Sequence, residues 1–267
     1  MPARPHIDFE ALDVVKSIGP ITLGEMDSIK LLNRIDTKYL TNEKVLVQVL
    51  EDALKHGYRI LVAEGLRVSP YNSLYYDTPA LKMFMDHHNR HLVRQKVRTR
   101  VYVSSGETFL EIKRKNNHGR TKKKRIVIAP ELFQDFRADE TAALYLAGHS
   151  WFTAGELLPQ METIFNRITL VNSAKTERLT IDSRLRFVNH TSGIDADLGD
   201  AVIIELKQDG RAPSEMKKIL LDHRIKPIRV SKYCIGTTLT RPDVKSGRFK
   251  VKVRRIEKTL GYKISDI

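Results

Sequence analysis

The alternation between Arg94 and Arg125 limits this chain more than any other feature. RQKVRTRVYVSSGETFLEIKRKNNHGRTKKKR reads as three short strands separated by turn residues. In a strand, successive side chains point to opposite faces. Arg98, Arg100 and Tyr102 therefore share one face, while Val97, Thr99, Val101 and Val103 share the other. In the next run Phe109, Glu111, Lys113 and Lys115 oppose Leu110 and Ile112, with Ser104-Ser105-Gly106 as the intervening turn. Residues 116–119 turn the chain into a third run, where Lys123 and Arg125 alternate with Lys124 and Ile126. A half-buried antiparallel meander with a wet charged face produces such a pattern. Here, however, that face is nearly all long cations with one carboxylate, whereas solvated faces mix signs to limit repulsion between strands.

The same pattern returns downstream. Arg178, Thr180 and Asp182 oppose Leu179 and Ile181, and Ile203, Glu205 and Lys207 oppose Val202, Ile204 and Leu206. An α+β fold uses both faces if an antiparallel barrel or strongly curved sheet lines its interior with charge and carries helices on its outside. At an effective dielectric of roughly 20, like charges about 4 Å apart repel by on the order of 4 kcal/mol, so such a lumen calls for an anion.

Composition agrees with an anionic partner. The 46 Lys and Arg against 32 Asp and Glu leave a net charge of +14, which suits nucleic acid, nucleotide, polyphosphate or an anionic membrane surface. Among these, charge alone does not choose. With 267 residues, 41% of them hydrophobic, the chain has enough material for a real core. The single Cys234 rules out an intramolecular disulfide and a cysteine metal cluster, which fits a reducing compartment. No apolar run has the length of a signal peptide or a membrane span, so a soluble, cytoplasmic protein is expected. A Walker A loop, a dinucleotide fingerprint and the kinase signatures are all absent, which leaves side-chain cations to hold phosphate.

Along the chain, residues 1–32 read as an N-terminal segment lying against the body, with Leu23 to Leu32 one or two helical turns. Arg34, Asp36 and Lys38 alternate along a first strand, after which Thr41 or Asn42 caps a helix that carries Val45, Val49, Leu50 and Leu54 and ends at Gly57. Strands are expected over 58–68, 73–77 and 163–172, the last carrying Arg167, and helices over 81–89 and 213–223. Between Pro130 and Pro159 the spacing is helical, with Leu144 and Trp151 among the packing residues. His87, His88 and His91 lack a recognised metal spacing and read as packing or solvent-facing residues. In the basic tail, Phe249, Val251 and Val253 alternate with Lys250, Lys252 and Arg254, which predicts a strand.

Taken in order, Arg34-Ile35-Asp36-Thr37-Lys38-Tyr39, Tyr75-Tyr76-Asp77-Thr78, Lys96-Val97-Arg98-Thr99-Arg100, Phe109-Leu110-Glu111-Ile112-Lys113, Glu205-Leu206-Lys207 and Ser231-Lys232-Tyr233 resemble one known family. This is the catalytic domain of the vacuolar transporter chaperone (VTC) polyphosphate polymerases, within the CYTH-like, or triphosphate tunnel metalloenzyme, superfamily. The likeness runs from about Asn33 to Gly236. It implies a tunnel domain over 33–240, followed by a basic extension over 241–267. It further implies that Lys38, Arg98, Arg100, Lys113, Arg167, Arg178, Lys207, Arg229, Ser231 and Lys232 bind the phosphates of ATP or polyphosphate, together with Lys123 and Arg125 in the run where a one-residue slip would exchange faces. Arg98, Arg100, Lys113 and Glu205 would be catalytic, and Glu205 would hold Mn²⁺ or Mg²⁺.

The activity that the resemblance implies is transfer of the γ-phosphate of ATP to a growing polyphosphate chain. Hydrolytic tunnel enzymes resemble one another in a Glu-x-Glu-x-Lys strand, whereas Arg34-x-Asp36-x-Lys38 has one acid in that place. The alternatives are a tunnel triphosphatase acting on inorganic, nucleoside or RNA 5′ triphosphates, and a non-catalytic polyphosphate-binding module. Nucleic acid stays open as a partner, and oligomeric state is not legible.

Overall fold

The computed structural model describes residues 6–27, 29, 34–210 and 212–265. Its strands are β1 (Gly19–Ile21), β2 (Arg34–Asn42), β3 (Arg59–Leu61), β4 (Ser69–Asp77), β5 (Arg94–Tyr102), β6 (Thr108–Lys115), β7 (Thr121–Ile128), β8 (Leu158–Val171), β9 (Glu177–Asn189), β10 (Asp195–Asp197) and β11 (Ala201–Asp209). Its α-helices are α1 (Asp13–Ser17), α2 (Leu23–Asp27), α3 (Glu43–Lys55), α4 (Lys82–His88), α5 (Glu140–His149), α6 (Glu215–Asp222), α7 (Lys232–Thr240) and α8 (Gly247–Leu260). Helix α2 covers part of the expected 23–32 helix, and residues 28 and 30–32 lie outside the described ones.

Eight strands pair antiparallel in the order β2-β11-β9-β8-β4-β5-β6-β7. This sheet curls into a half-barrel. From β11 to β6 is five strand steps along the path, about 24 Å if the sheet were flat. That exceeds the roughly 10 Å over which exposed charges act, yet Lys113 of β6 lies in the field of Glu205 of β11. The start of α7 also spans the concavity, because Ser231 Oγ accepts from Lys96 Nζ of β5 at 2.6 Å while the next residue, Lys232, bonds Asp182 of β9.

Outer-face residues of the sheet are buried under helices. Val202, Ile204 and Leu206 pack with Leu46, Val49 and Leu50 of α3 and with Met216 and Leu220 of α6. Asn42 is the residue that caps α3, its Oδ1 accepting from Val45 N at 2.9 Å. On the other half, Leu74, Val97, Leu110 and Ile112 pack with Phe136 and Leu146. A third cluster joins Ile203, Phe165 and Tyr75 of the concave side to Tyr233 and Cys234 of α7 and Phe249, Val253 and Ile256 of α8.

Three expectations are corrected. The tail is the helix α8, not a strand: Phe249, Val253, Ile256 and Leu260 are buried at helical spacing, while Val251 is 64% exposed. Leu144 and Trp151 are exposed and are not packing residues. The strand expected over 58–68 is only β3.

Candidate functional site

Register decides which cations meet. Across β5, β6 and β7, Arg98 pairs with Glu111 and Glu111 with Arg125, while Lys96 pairs with Lys113 and Lys113 with Lys123. Lys123 and Arg125 thus share the concave face, and Lys122 and Lys124 point outward, which resolves the four-residue basic run. On the opposite wall Lys38 pairs with Glu205 and Glu205 with Thr180, while Lys207 pairs with Arg178. Asp182 and Arg167 are partners between β9 and β8.

Three carboxylates in this concavity, Glu111 and Asp182 buried and Glu205 half-buried, organise the cations. Glu111 is fully buried and accepts from Arg98 Nε at 2.8 Å, Arg98 Nη2 at 2.5 Å and Lys123 Nζ at 3.0 Å. Burial alone would raise its pKa, but Arg98, Arg100 and Lys123 outweigh that and hold it below the usual carboxylate range. Asp182 receives the Arg167 fork through Nε at 2.6 Å and Nη2 at 2.9 Å, and also bonds Lys232. Glu205 meets Lys38 Nζ at 2.5 Å and Lys207 Nζ at 3.5 Å. Its carboxyl stays well below the ordinary value because Lys38, Lys207 and Lys113 overcome the effect of burial.

Burial shifts several cations there, paired or not. Arg100 is 7% exposed, donates from Nε to Ser73 Oγ at 2.8 Å and has no ion-pair carboxylate among the described residues. Burial and the charge of Arg98 pull it down to about 10, so it is cationic at neutral pH. Lys113 lies well below the ordinary lysine value through the charge of Arg98, then burial and Arg100. Burial brings Lys207 to about 8, with Glu205 only partly offsetting it, and brings Lys232 to about 8 against the pull of Asp182. The Tyr75 hydroxyl accepts from Arg98 Nη1 at 2.8 Å; burial pushes that hydroxyl up, but Arg98, Lys96 and Arg100 bring it down to about 8.

Lys38, Arg98, Arg100, Lys113, Lys123, Arg125, Arg167, Arg178, Glu205, Lys207, Ser231 and Lys232 are brought to one concave surface or to the helix start that faces it. Arg229 is not inside: it is exposed, and its charge acts on Lys115 and Lys252 at one end of the sheet. The partners that sequence reasoning did not name as site residues are Lys96, Glu111, Asp182 and Tyr75. Their common signal was parity with Arg98, Lys113, Arg178 and the tyrosine pair.

For a hard divalent ion the described residues offer no cluster of three or more His, Cys, Asp or Glu. Glu205 stands opposite Thr180, whose hydroxyl is buried and has no hydrogen-bond partner among the described residues. One carboxylate with a neighbouring hydroxyl fits an ion that takes most of its oxygens from phosphates, as Mg²⁺ does.

A curled antiparallel sheet with a charged concavity and helices on its back defines a CYTH-like, triphosphate-tunnel fold. It is similar to a candidate adenylate cyclase from Bacillus halodurans, at 13% identity over 75% of this chain and 96% of that chain, with TM-score 0.50. A Hippeastrum candidate adenylyl cyclase described as having a dominant triphosphatase activity aligns at 16% identity over 77% and 95% of the two chains, with TM-score 0.47. No match is found among curated proteins. The VTC domain family matches residues 33–241, and the chain belongs to that family.

Proposed function

We propose that the chain is a divalent-metal-dependent polyphosphate polymerase that transfers the γ-phosphoryl group of ATP to inorganic polyphosphate. The observation that carries this reading is the concave face itself, where Arg100 and Lys113 stand among cations paired to Glu111, Asp182 and Glu205. Membership of the VTC family supports the same substrate class.

A terminal phosphate oxygen of the growing chain forms a bond to the γ-phosphorus, the β–γ bridging P–O bond breaks, and ADP leaves. Arg100 and Lys113 are suited to spread charge on the transferred group, and Lys38, Lys207, Arg178, Arg167 and Lys232 to hold the flanking phosphates in line. Ser231 and Lys232 add the positive end of α7. Glu205, with Thr180 beside it, would hold Mn²⁺ or Mg²⁺, which supplies charge neutralisation on the phosphate oxygens. No side-chain nucleophile is needed. Transfer is favoured over hydrolysis because Arg34-x-Asp36-x-Lys38 carries one acid where hydrolytic tunnel enzymes carry two, and that acid is paired to Arg34 Nε at 2.5 Å.

The test is incubation with ATP and Mn²⁺, with products resolved by length. Long acid-labile phosphate chains are expected. Orthophosphate alone would make the protein a triphosphatase, and metal-independent binding without turnover would make it a binding module.

A further inference from the structure

The back of the β6–β7 hairpin carries a second basic concavity. A groove of about 440 Å³ is lined by Arg114, Lys115, Arg120, Lys122 and Lys124, with Trp151 forming part of its wall. No Asp or Glu lines it. The arginine is held in place, its guanidinium lying over the Trp151 ring at 4.7 Å and Nη1 reaching His149 O at 3.5 Å. A fork fixed by stacking loses little freedom on meeting a phosphate. Lys115 belongs to two places at once: it lines this groove, and it lies in the fields of Arg94 and Arg229 at the end of the curled sheet. Cations therefore run without a break from the lumen, through Lys96 and Lys113, past Lys115 and onto the outer face.

We propose that this groove is an external track for inorganic polyphosphate, taking up the part of the chain that extends beyond the lumen. The proposal rests on the polyphosphate reading above. Its occupant is a flexible polyanion because an all-cation lining continuous with the lumen complements one, and because two linked sites on one chain raise the affinity for a ligand long enough to reach both.

Trp151 is the only tryptophan, so its fluorescence reports on this groove alone. The full chain is titrated with long-chain polyphosphate and with tripolyphosphate, following Trp151 emission and, by calorimetry, total binding. Long chains are expected to change the emission and to bind roughly tenfold tighter than tripolyphosphate. The double variant Lys122→Ala with Lys124→Ala should lose both effects and keep the tripolyphosphate affinity. A control of equal charge, Lys217→Ala with Lys218→Ala on α6, should keep the long-chain advantage. The track is overturned if Trp151 is silent to long chains while tripolyphosphate binds, if ADP alone evokes the same response, or if the control pair does as much as the groove pair. Binding of neither phosphate would remove the polyphosphate reading and the track with it.

Discussion

Arg98 and Arg100 stand two residues apart on one face of β5 and have different surroundings. The Arg98 fork is engaged by Glu111 and Tyr75, while Arg100 donates to the Ser73 hydroxyl, lies over the faces of Tyr71 and Phe165, and has no carboxylate partner among the described residues. Arg100→Lys keeps the charge but loses the planar fork. With a charged hydrogen bond worth roughly 1.5–3 kcal/mol, turnover should fall on the order of tenfold or more, with unfolding temperature nearly unchanged. Arg98→Ala should instead lose stability as well, by about 3–5 kcal/mol, because it strips a buried carboxylate of its main partner. Parent-like turnover and triphosphate stabilisation in Arg100→Lys would remove it from the site. Glu205→Gln is expected to abolish metal-dependent turnover while retaining phosphate affinity, since Lys38 and Lys207 are released from their acid. If turnover survives, Glu205 serves those ion pairs only. Strand parity made the cations of this site legible in the sequence. Their pairing to Glu111 and Asp182 was not, because cross-strand partners depend on register between segments far apart in the chain.

Among the elements, α7 is the one whose position matters most to the lumen. It approaches β8 and β9 closely because Gly236 has no side chain: a Cβ there would lie 2.7 Å from Phe187 Cδ1 and 3.0 Å from Met161 Sδ. Both neighbours are fully buried and have little room to yield. Gly236→Ala should therefore push α7 outward, costing about 1–3 kcal/mol in chemical denaturation. It should also weaken triphosphate binding, because Ser231 and Lys232 move with the helix. Unchanged binding in this variant would separate α7 from the site. The α8 misreading has a simple origin. Phe249, Val251 and Val253 alternate as a strand would, but Phe249, Val253, Ile256 and Leu260 also satisfy a helical stripe, and packing against Tyr233 and Phe84 selects the latter. Short β-branched runs do not distinguish the two periods until the surface they cover is known.

At the scale of the whole molecule, the concave charge makes both stability and ligand affinity depend on pH in a stated direction. Lys207 and Lys232 titrate near 8, below the ordinary 10.5, so the cost of holding them as cations is fully present below pH 8 and is relieved as pH climbs toward 10.5. Tyr75, near 8 where a free tyrosine is near 10, stabilises the fold over the same rise by becoming anionic among Arg98, Lys96 and Arg100. The protein alone should therefore gain stability from these groups between pH 8 and 10. A bound triphosphate reverses the preference, since it favours charged lysines and a neutral tyrosine and raises all three pKa values. Binding should then take up protons near pH 8, take up few at pH 6.5 where the groups are already protonated, and weaken steadily above pH 8.5. Calorimetry of tripolyphosphate binding in two buffers of different ionisation enthalpy measures this uptake directly. Equal heats in both buffers at pH 8, or an affinity that holds to pH 9.5, would mean that the phosphates do not meet Lys207, Lys232 and Tyr75, and would remove these three groups from the binding site.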